Sequence, residues 1–307
     1  MSDTPTPHRG RTLAGLVLML LLAASAGAQD LEPRAYSPSP VGTTFIVASA
    51  LRSAGGVFTD PSVPVTDVDA KVGILGLGAG HTFGIAGRQV LLLGALPITW
   101  GTASGSVGED RRSISRRGLA DPRLKVSTIL YGAPAMSPQE FARARRGTVL
   151  GVSLTVVPPV GQYDSTKLIN LGSNRWAFKP EFGVSRPAGK WTTDVYAGVW
   201  LFGANDRFYP GTSTRTQDPI FALQGHVSRT IGRRSWIAVD GTWYSGGRST
   251  VDGVDKLDLQ RNTRLGATWS LPVGTRQSLK FAYSAGATTR VGADFRTISA
   301  AWQIVFF

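Results

Sequence analysis

From about residue 42 onward the chain repeats one pattern. Apolar and polar residues alternate one for one in runs bounded by Gly, Pro, Asn, Asp and Ser. A period of two belongs to a strand whose two faces meet different surroundings. Twelve such runs are predicted, over about 42–53, 66–83, 89–101, 120–132, 147–160, 174–186, 190–203, 218–231, 235–246, 257–271, 276–287 and 294–306. The last runs from Thr297 through Trp302 and Gln303 to Phe306 and Phe307, and alternates throughout. In a transmembrane β-barrel each strand shows lipid one apolar face and the lumen one polar face, so the pattern predicts an all-β, antiparallel transmembrane barrel of about twelve strands.

The connections carry an asymmetry of their own. After even-numbered strands they are tight: Ala86-Gly87-Arg88, Pro187-Ala188-Gly189, Gly232-Arg233-Arg234 and Pro272-Val273-Gly274. After odd-numbered strands they are long and polar, over 102–119, 161–173, 203–217 and 247–256. Short periplasmic turns and longer extracellular loops distinguish the two rims of such barrels. One tight-side link, 132–146, is long. Within it, Ser137-Pro138-Gln139-Glu140 reads as a helix start, with Ser as N-cap, Pro in the first turn and Glu closing a capping box.

The first 28 residues carry Arg9 and Arg11, an apolar run over 13–22, and the small residues Ala26-Gly27-Ala28. That is the order of a cleaved signal peptide. The run is shorter than a spanning helix needs, and no later window repeats it, which argues against a helical membrane protein. The expected organisation is a signal peptide over 1–28, a short periplasmic N-terminal segment over 29–41, and one barrel domain over 42–307. Placement in the outer membrane of a Gram-negative bacterium follows.

Average composition hides this, since 42% hydrophobic residues also suits a soluble protein. Half the strand positions of a barrel are polar, so the average is uninformative. The chain has no cysteine, which removes disulfides and thiolate metal sites. It holds 33 Lys and Arg against 20 Asp and Glu. Without a basic helix or base-stacking motif, that excess points to lipopolysaccharide phosphates or an anionic solute rather than nucleic acid. Arg111, Arg112, Arg116 and Arg117 form an arginine run in one long loop; they can neutralise lipid phosphates or simply be solvated.

Tryptophan prefers the membrane interface, where the ring is half buried and its N–H stays wet. Trp100, Trp176, Trp200 and Trp243 fall at the outer ends of the predicted strands; Tyr131, Trp191, Trp236, Trp269 and Trp302 fall near the inner ends. Taking the more apolar parity as lipid-facing assigns the lumen. Its candidates are Asp67, Asp69 and Lys71 on the second strand, with Val68, Ala70, Val72 and Ile74 outward. They continue with Arg123 and Lys125; Arg175, Lys179 and Glu181; Asp194 and Tyr196; Gln224 and His226; Asp240; Asn262 and Arg264; Lys280; and Gln303.

A lumen with both signs of charge has two readings. Opposed charges orient a polar or anionic solute, or they pair off and fill a modest barrel. The first makes the protein a passive channel; the second makes it a structural or surface-interaction protein. A third reading, a lipid-modifying enzyme, has little to build on. The mature chain offers His81 and His226 as bases and no Gly-x-Ser-x-Gly elbow. The glycine-rich 73–80 stretch is not followed by an amphipathic helix and so does not read as a nucleotide loop. Asp67 and Asp69 share a face but lack the rest of a calcium loop. No metal or cofactor is expected.

Several strings resemble one family. Leu31-Glu32-Pro33-Arg34-Ala35-Tyr36, Pro64-Val65-Thr66-Asp67-Val68-Asp69-Ala70-Lys71, Gly118-Leu119-Ala120-Asp121-Pro122-Arg123-Leu124 and Gly161-Gln162-Tyr163-Asp164 look like the group labelled "meta-pathway of phenol degradation". So do the stretch 168–176, Gln217-Asp218-Pro219 and Tyr244-Ser245-Gly246-Gly247-Arg248. The resemblance spans nearly the whole mature chain. It implies an outer-membrane barrel tied to aromatic-compound catabolism as an uptake route, and carries no binding residues.

The terminal strand departs from the usual assembly signal. Its greasier face is Trp302, Ile304 and Phe306, one residue out of step with the terminal aromatic. The implied partners are outer-membrane lipid and lipopolysaccharide, the barrel-assembly machinery and a small-molecule solute. The pattern leaves the oligomeric state open and favours a monomer, since closure by itself satisfies the backbone.

Overall fold

The computed structural model describes residues 31–59, 65–232 and 234–307. The signal-peptide reading lies outside the described residues, as do residues 29–30 of the N-terminal segment. In chain order the strands are β1 (Thr44–Phe58), β2 (Thr66–Ile85), β3 (Arg88–Val107), β4 (Asp110–Leu119), β5 (Arg123–Tyr131), β6 (Val149–Val157), β7 (Ala177–Ala188), β8 (Trp191–Phe202), β9 (Asn205–Phe208), β10 (Ser213–Gln217), β11 (Ile220–Ile231), β12 (Ser235–Gly246), β13 (Ser249–Val251), β14 (Val254–Asp255), β15 (Gln260–Val273), β16 (Gln277–Thr288) and β17 (Gly292–Phe306).

β4 and β5 pair with successive parts of β3 and act as one wall strand, so the closed antiparallel barrel has twelve. β9, β10, β13 and β14 make a small separate sheet from the long loops. β17 closes the wall against β1 in unbroken register, from Thr44 opposite Phe306 to Phe58 opposite Gly292. Closure joins β17 to β1, so that among the described residues of the wall β4 alone, in the part beyond the band, has a single strand neighbour.

The long link expected over 102–119 is instead a hairpin, in which β3 and β4 rise past the membrane, Val107 opposite Asp110. The expected helix is present. Pro138–Arg143 is capped by Ser137, whose hydroxyl accepts from Glu140 N–H while the Glu140 carboxylate accepts from Ser137 N–H at 2.8 Å.

Facing follows the solvent on each side of the wall. Across the band Leu75, Leu77, Leu96, Ile98, Phe182, Leu223, Val239 and Leu265 point outward and are exposed. Trp100, Trp176 and Trp243 mark one rim, and Tyr131, Trp191, Trp269 and Trp302 the other, all outward and exposed. Trp302 Nε1 donates to Gln277 at 3.0 Å, the wet indole N–H that an interface residue keeps.

Trp200 and Trp236 depart from the interface expectation. They share parity with Tyr196 and Asp240 and turn into the lumen; Trp200 is 2% exposed. A second correction concerns the top of β2. Val68 and Ala70 are buried inward, Val72 packs against the same cluster, and Asp67, Asp69 and Lys71 lie on the outer surface. Above the bilayer the wall has water outside, so apolar residues turn in and charges turn out. The parity rule holds only where lipid is the outer solvent.

Candidate functional site

The described part of the N-terminal segment is not a periplasmic extension. Residues 31–43 fold back into the barrel and bond across its lumen. Glu32 meets Lys125 of β5 at 2.9 Å. The Arg34 backbone N–H donates to the Asp194 carboxylate at 3.3 Å, and its guanidinium donates to Ser228 and Thr230 at 2.9 and 3.1 Å. That guanidinium also lies 4.7 Å from the centre of the Trp236 ring. Ala35 N–H donates to the Tyr196 hydroxyl at 3.0 Å, and Ser39 N–H donates to Gln89 at 2.8 Å.

Tyr36 anchors this strap and is 3% exposed. Its ring fills a socket that only glycine permits. A Cβ at Gly151 would lie 2.3 Å from Tyr36 Cδ1, and one at Gly183 would lie 2.2 Å from Tyr36 Cε2. Its hydroxyl reaches Ser153 at 3.0 Å and the Glu181 carboxylate at 3.1 Å.

The strap divides the lumen. On the β7–β15 side the sequence-assigned charges are buried, and four of these side chains form two pairs. Lys179 and Glu181 form a 2.6 Å ion pair, and Gln224 reaches Glu181 at 3.4 Å. His226 Nδ1 lies 2.7 Å from Asp240, which also accepts from Thr268 at 2.8 Å. Arg264 donates to the Phe295 carbonyl at 2.9 Å, Asn262 to the Val291 carbonyl at 2.8 Å, and Arg175 to Gln217. Glu181 and Asp240 thus have a charged or ionisable partner, whereas the Arg175 and Arg264 guanidinium groups are bonded to neutral acceptors.

On the β16–β17–β1–β2–β3 side the middle of the lumen keeps solvent-accessible side chains. Val47, Leu51, Ile74, Leu91 and Leu93 face inward and remain half-exposed, as does Gln303. Lys280 faces the same space, exposed, with Nζ 6.0 Å from the centre of the Trp236 ring. Arg123 and Lys125 border it on β5. Above it, Val57, Val68, Ala103, Ile169 and Phe295 pack into an apolar cluster at the long-loop end.

The structure thus gathers Arg123, Lys125, Arg175, Lys179, Glu181, Asp194, Tyr196, Gln224, His226, Asp240, Asn262, Arg264, Lys280 and Gln303 on the inward face, and leaves Asp67, Asp69 and Lys71 outside it. Sequence reasoning missed Glu32, Arg34 and Tyr36, which lie outside any alternating run. It also missed Trp200 and Trp236 as lumen residues, although strand parity carried that signal.

Among solved structures, an outer membrane channel from Pseudomonas putida F1 superposes with a TM-score of 0.75 at 19% identity, over 90% of this chain and all of that one. The transport unit of the autotransporter AIDA-I from Escherichia coli gives 0.50 at 9% identity, over 93% and 95%. Both likenesses concern the fold. A methionyl-tRNA formyltransferase from Paramagnetospirillum magneticum (strain ATCC 700264 / AMB-1) is 30% identical over 153 residues, 48% of each chain. The match thus spans about half the length of that curated relative. The apolar band, the aromatic rims and the closed wall place the protein in the bacterial outer membrane. With a family model matching residues 48–302, the chain belongs to the family described as "Putative MetA-pathway of phenol degradation".

Proposed function

We propose that the protein is a passive channel for a small solute with an aromatic or apolar body and an anionic group. The observation that carries this is the division of the lumen: charges on one side are buried and bonded to the wall and to one another, while the other side keeps solvent-accessible side chains at mid-height. Its apolar wall of Val47, Leu51, Leu91 and Leu93 suits a planar ring, and the Lys280 ammonium suits a carboxylate or phenolate. The family's tie to phenol degradation supports an aromatic solute. The strap sets the aperture, with Tyr36 as its anchor.

The enclosed half and the apolar cluster over the mouth favour a second reading, an impermeable barrel that works through its loops. An enzymatic role gains no support from the partial formyltransferase match. His226 is buried and held by Asp240 in the enclosed half. Liposome swelling decides between channel and impermeable barrel. Entry of benzoate faster than entry of a sugar of similar mass supports the channel; entry of neither supports the impermeable barrel.

A further inference from the structure

The outer surface of β1–β4 carries a cleft of about 500 Å³ just beyond the aromatic rim. The register builds it. Arg52 stands opposite Gly73, Gly73 opposite Trp100, and Trp100 opposite Arg117, a single row across adjacent strands. In the next row outward, Lys71 faces Thr102 and Thr102 faces Ser115.

Gly73 is the reason the cleft has a floor. Its missing side chain lets the Trp100 indole lie flat, where a Cβ would come within 2.3 Å of Trp100 Cε2. Arg52, Lys71 and Arg117 are exposed around that floor, and no ion pair or hydrogen bond among the described residues engages their side chains.

The rest of the arginine run is otherwise occupied. Arg111 pairs with Asp69 at 3.6 Å and Arg112 with Asp110 at 3.8 Å, while Arg116 turns away to donate to the Ile169 carbonyl at 3.0 Å. Below the row, Leu75, Leu96 and Ile98 begin the lipid-facing band.

We propose that this cleft binds a phosphorylated outer-leaflet glycolipid, the lipid A part of lipopolysaccharide. The phosphate would sit among Arg52, Lys71 and Arg117, its sugar would rest against Trp100, and its acyl chains would run down Leu75, Leu96 and Ile98. Unpaired cations at the level where a leaflet carries its phosphates are what anionic-lipid recognition requires. An aromatic floor beside them suits a sugar face and fixes the headgroup depth.

The test is native mass spectrometry of the full mature barrel in detergent, titrated with bis-phosphorylated lipid A, dephosphorylated lipid A, phosphatidylglycerol and inorganic phosphate. The triple variant Arg52→Ser/Lys71→Ser/Arg117→Ser is compared with Arg111→Ser/Arg112→Ser. The proposal expects one tightly held phosphorylated lipid A, at least tenfold weaker binding in the triple variant, and little change in the double variant. Equal binding of dephosphorylated lipid A overturns it, as does equal loss in both variants, which would mean that general charge is responsible. Equal retention of phosphatidylglycerol or free phosphate overturns the glycolipid assignment. Should the triple variant fail to fold, the comparison of the two lipid A forms on the unaltered protein still decides.

Discussion

The carboxylate of Glu32, on the N-terminal strap, lies 2.9 Å from the ammonium of Lys125, on the wall strand β5. The Lys125 ammonium holds that carboxyl down to about 2, from an ordinary 4.5. A carboxyl lowered by folding stabilises the docked strap fully above about pH 4.5, and loses that contribution as the pH falls toward about 2. Conductance through the barrel is expected to rise over that window and to stay level above it. Glu32→Gln should remove the rise and give a higher baseline at neutral pH. The Glu32 side chain is half-exposed to the lumen, so the pair contributes under about 1 kcal/mol and the baseline change should be less than about fivefold.

Tyr36 and its glycine socket are expected to dominate the strap. Removing a buried ring costs about 3–5 kcal/mol, so Tyr36→Ala should free the segment while leaving the wall intact. Gly183→Ala should act in the same direction by occupying the ring's place. Limited proteolysis reads this directly: cleavage within 31–43 should accelerate at least tenfold in both variants. Unchanged protection would mean that the remaining contacts of Arg34 and Ser39 suffice.

The Lys179–Glu181 pair separates paired from merely present charge. Glu181→Ala should destabilise the barrel by about 3–5 kcal/mol, because it strands a buried ammonium. Replacing both residues with Met should recover most of that loss. Urea unfolding in detergent, followed by the gel shift of the heat-modifiable barrel, gives both values. Equal stability of the single variant would show that Lys179 reaches lumen water.

The reversal of facing along β2 predicts a contrast within one strand. Leu77→Arg puts a cation into the lipid band and should cost about 2–4 kcal/mol. Asp69→Arg, eight positions toward the loops on the same outward parity, should change stability by no more than about 0.5 kcal/mol, because that surface faces water. Folding yields into vesicles would show the difference.

These residues also mark what the sequence could reveal. Lipid imposes a period of two wherever a wall strand crosses it, so strand number, rim asymmetry and the inward placement of Lys179, Asp194, His226 and Arg264 were legible. The capped helix at Ser137 was legible because its signals are local. Asp67, Asp69 and Lys71 defeat the parity rule because they lie past the bilayer, where water replaces lipid outside and the apolar residues turn in. The charged β3–β4 hairpin resembled a loop for the same reason. Trp200 and Trp236 stand at rim height but on the inward parity, and in the wall parity decides the facing. Nothing local marks the strap: Arg34 and Asp194 are 160 positions apart, and only the closed barrel brings them together.

On the proposed function, a solute path runs beside the strap, past the solvent-accessible side chains of the lumen. The most direct measurement is single-channel conductance in a planar bilayer, comparing the mature chain with a variant lacking residues 31–39. Small, anion-selective openings that are interrupted by benzoate are expected, with a severalfold larger conductance without the strap. A folded barrel that stays silent in both forms would contradict the proposed path, and would assign the function to the loops.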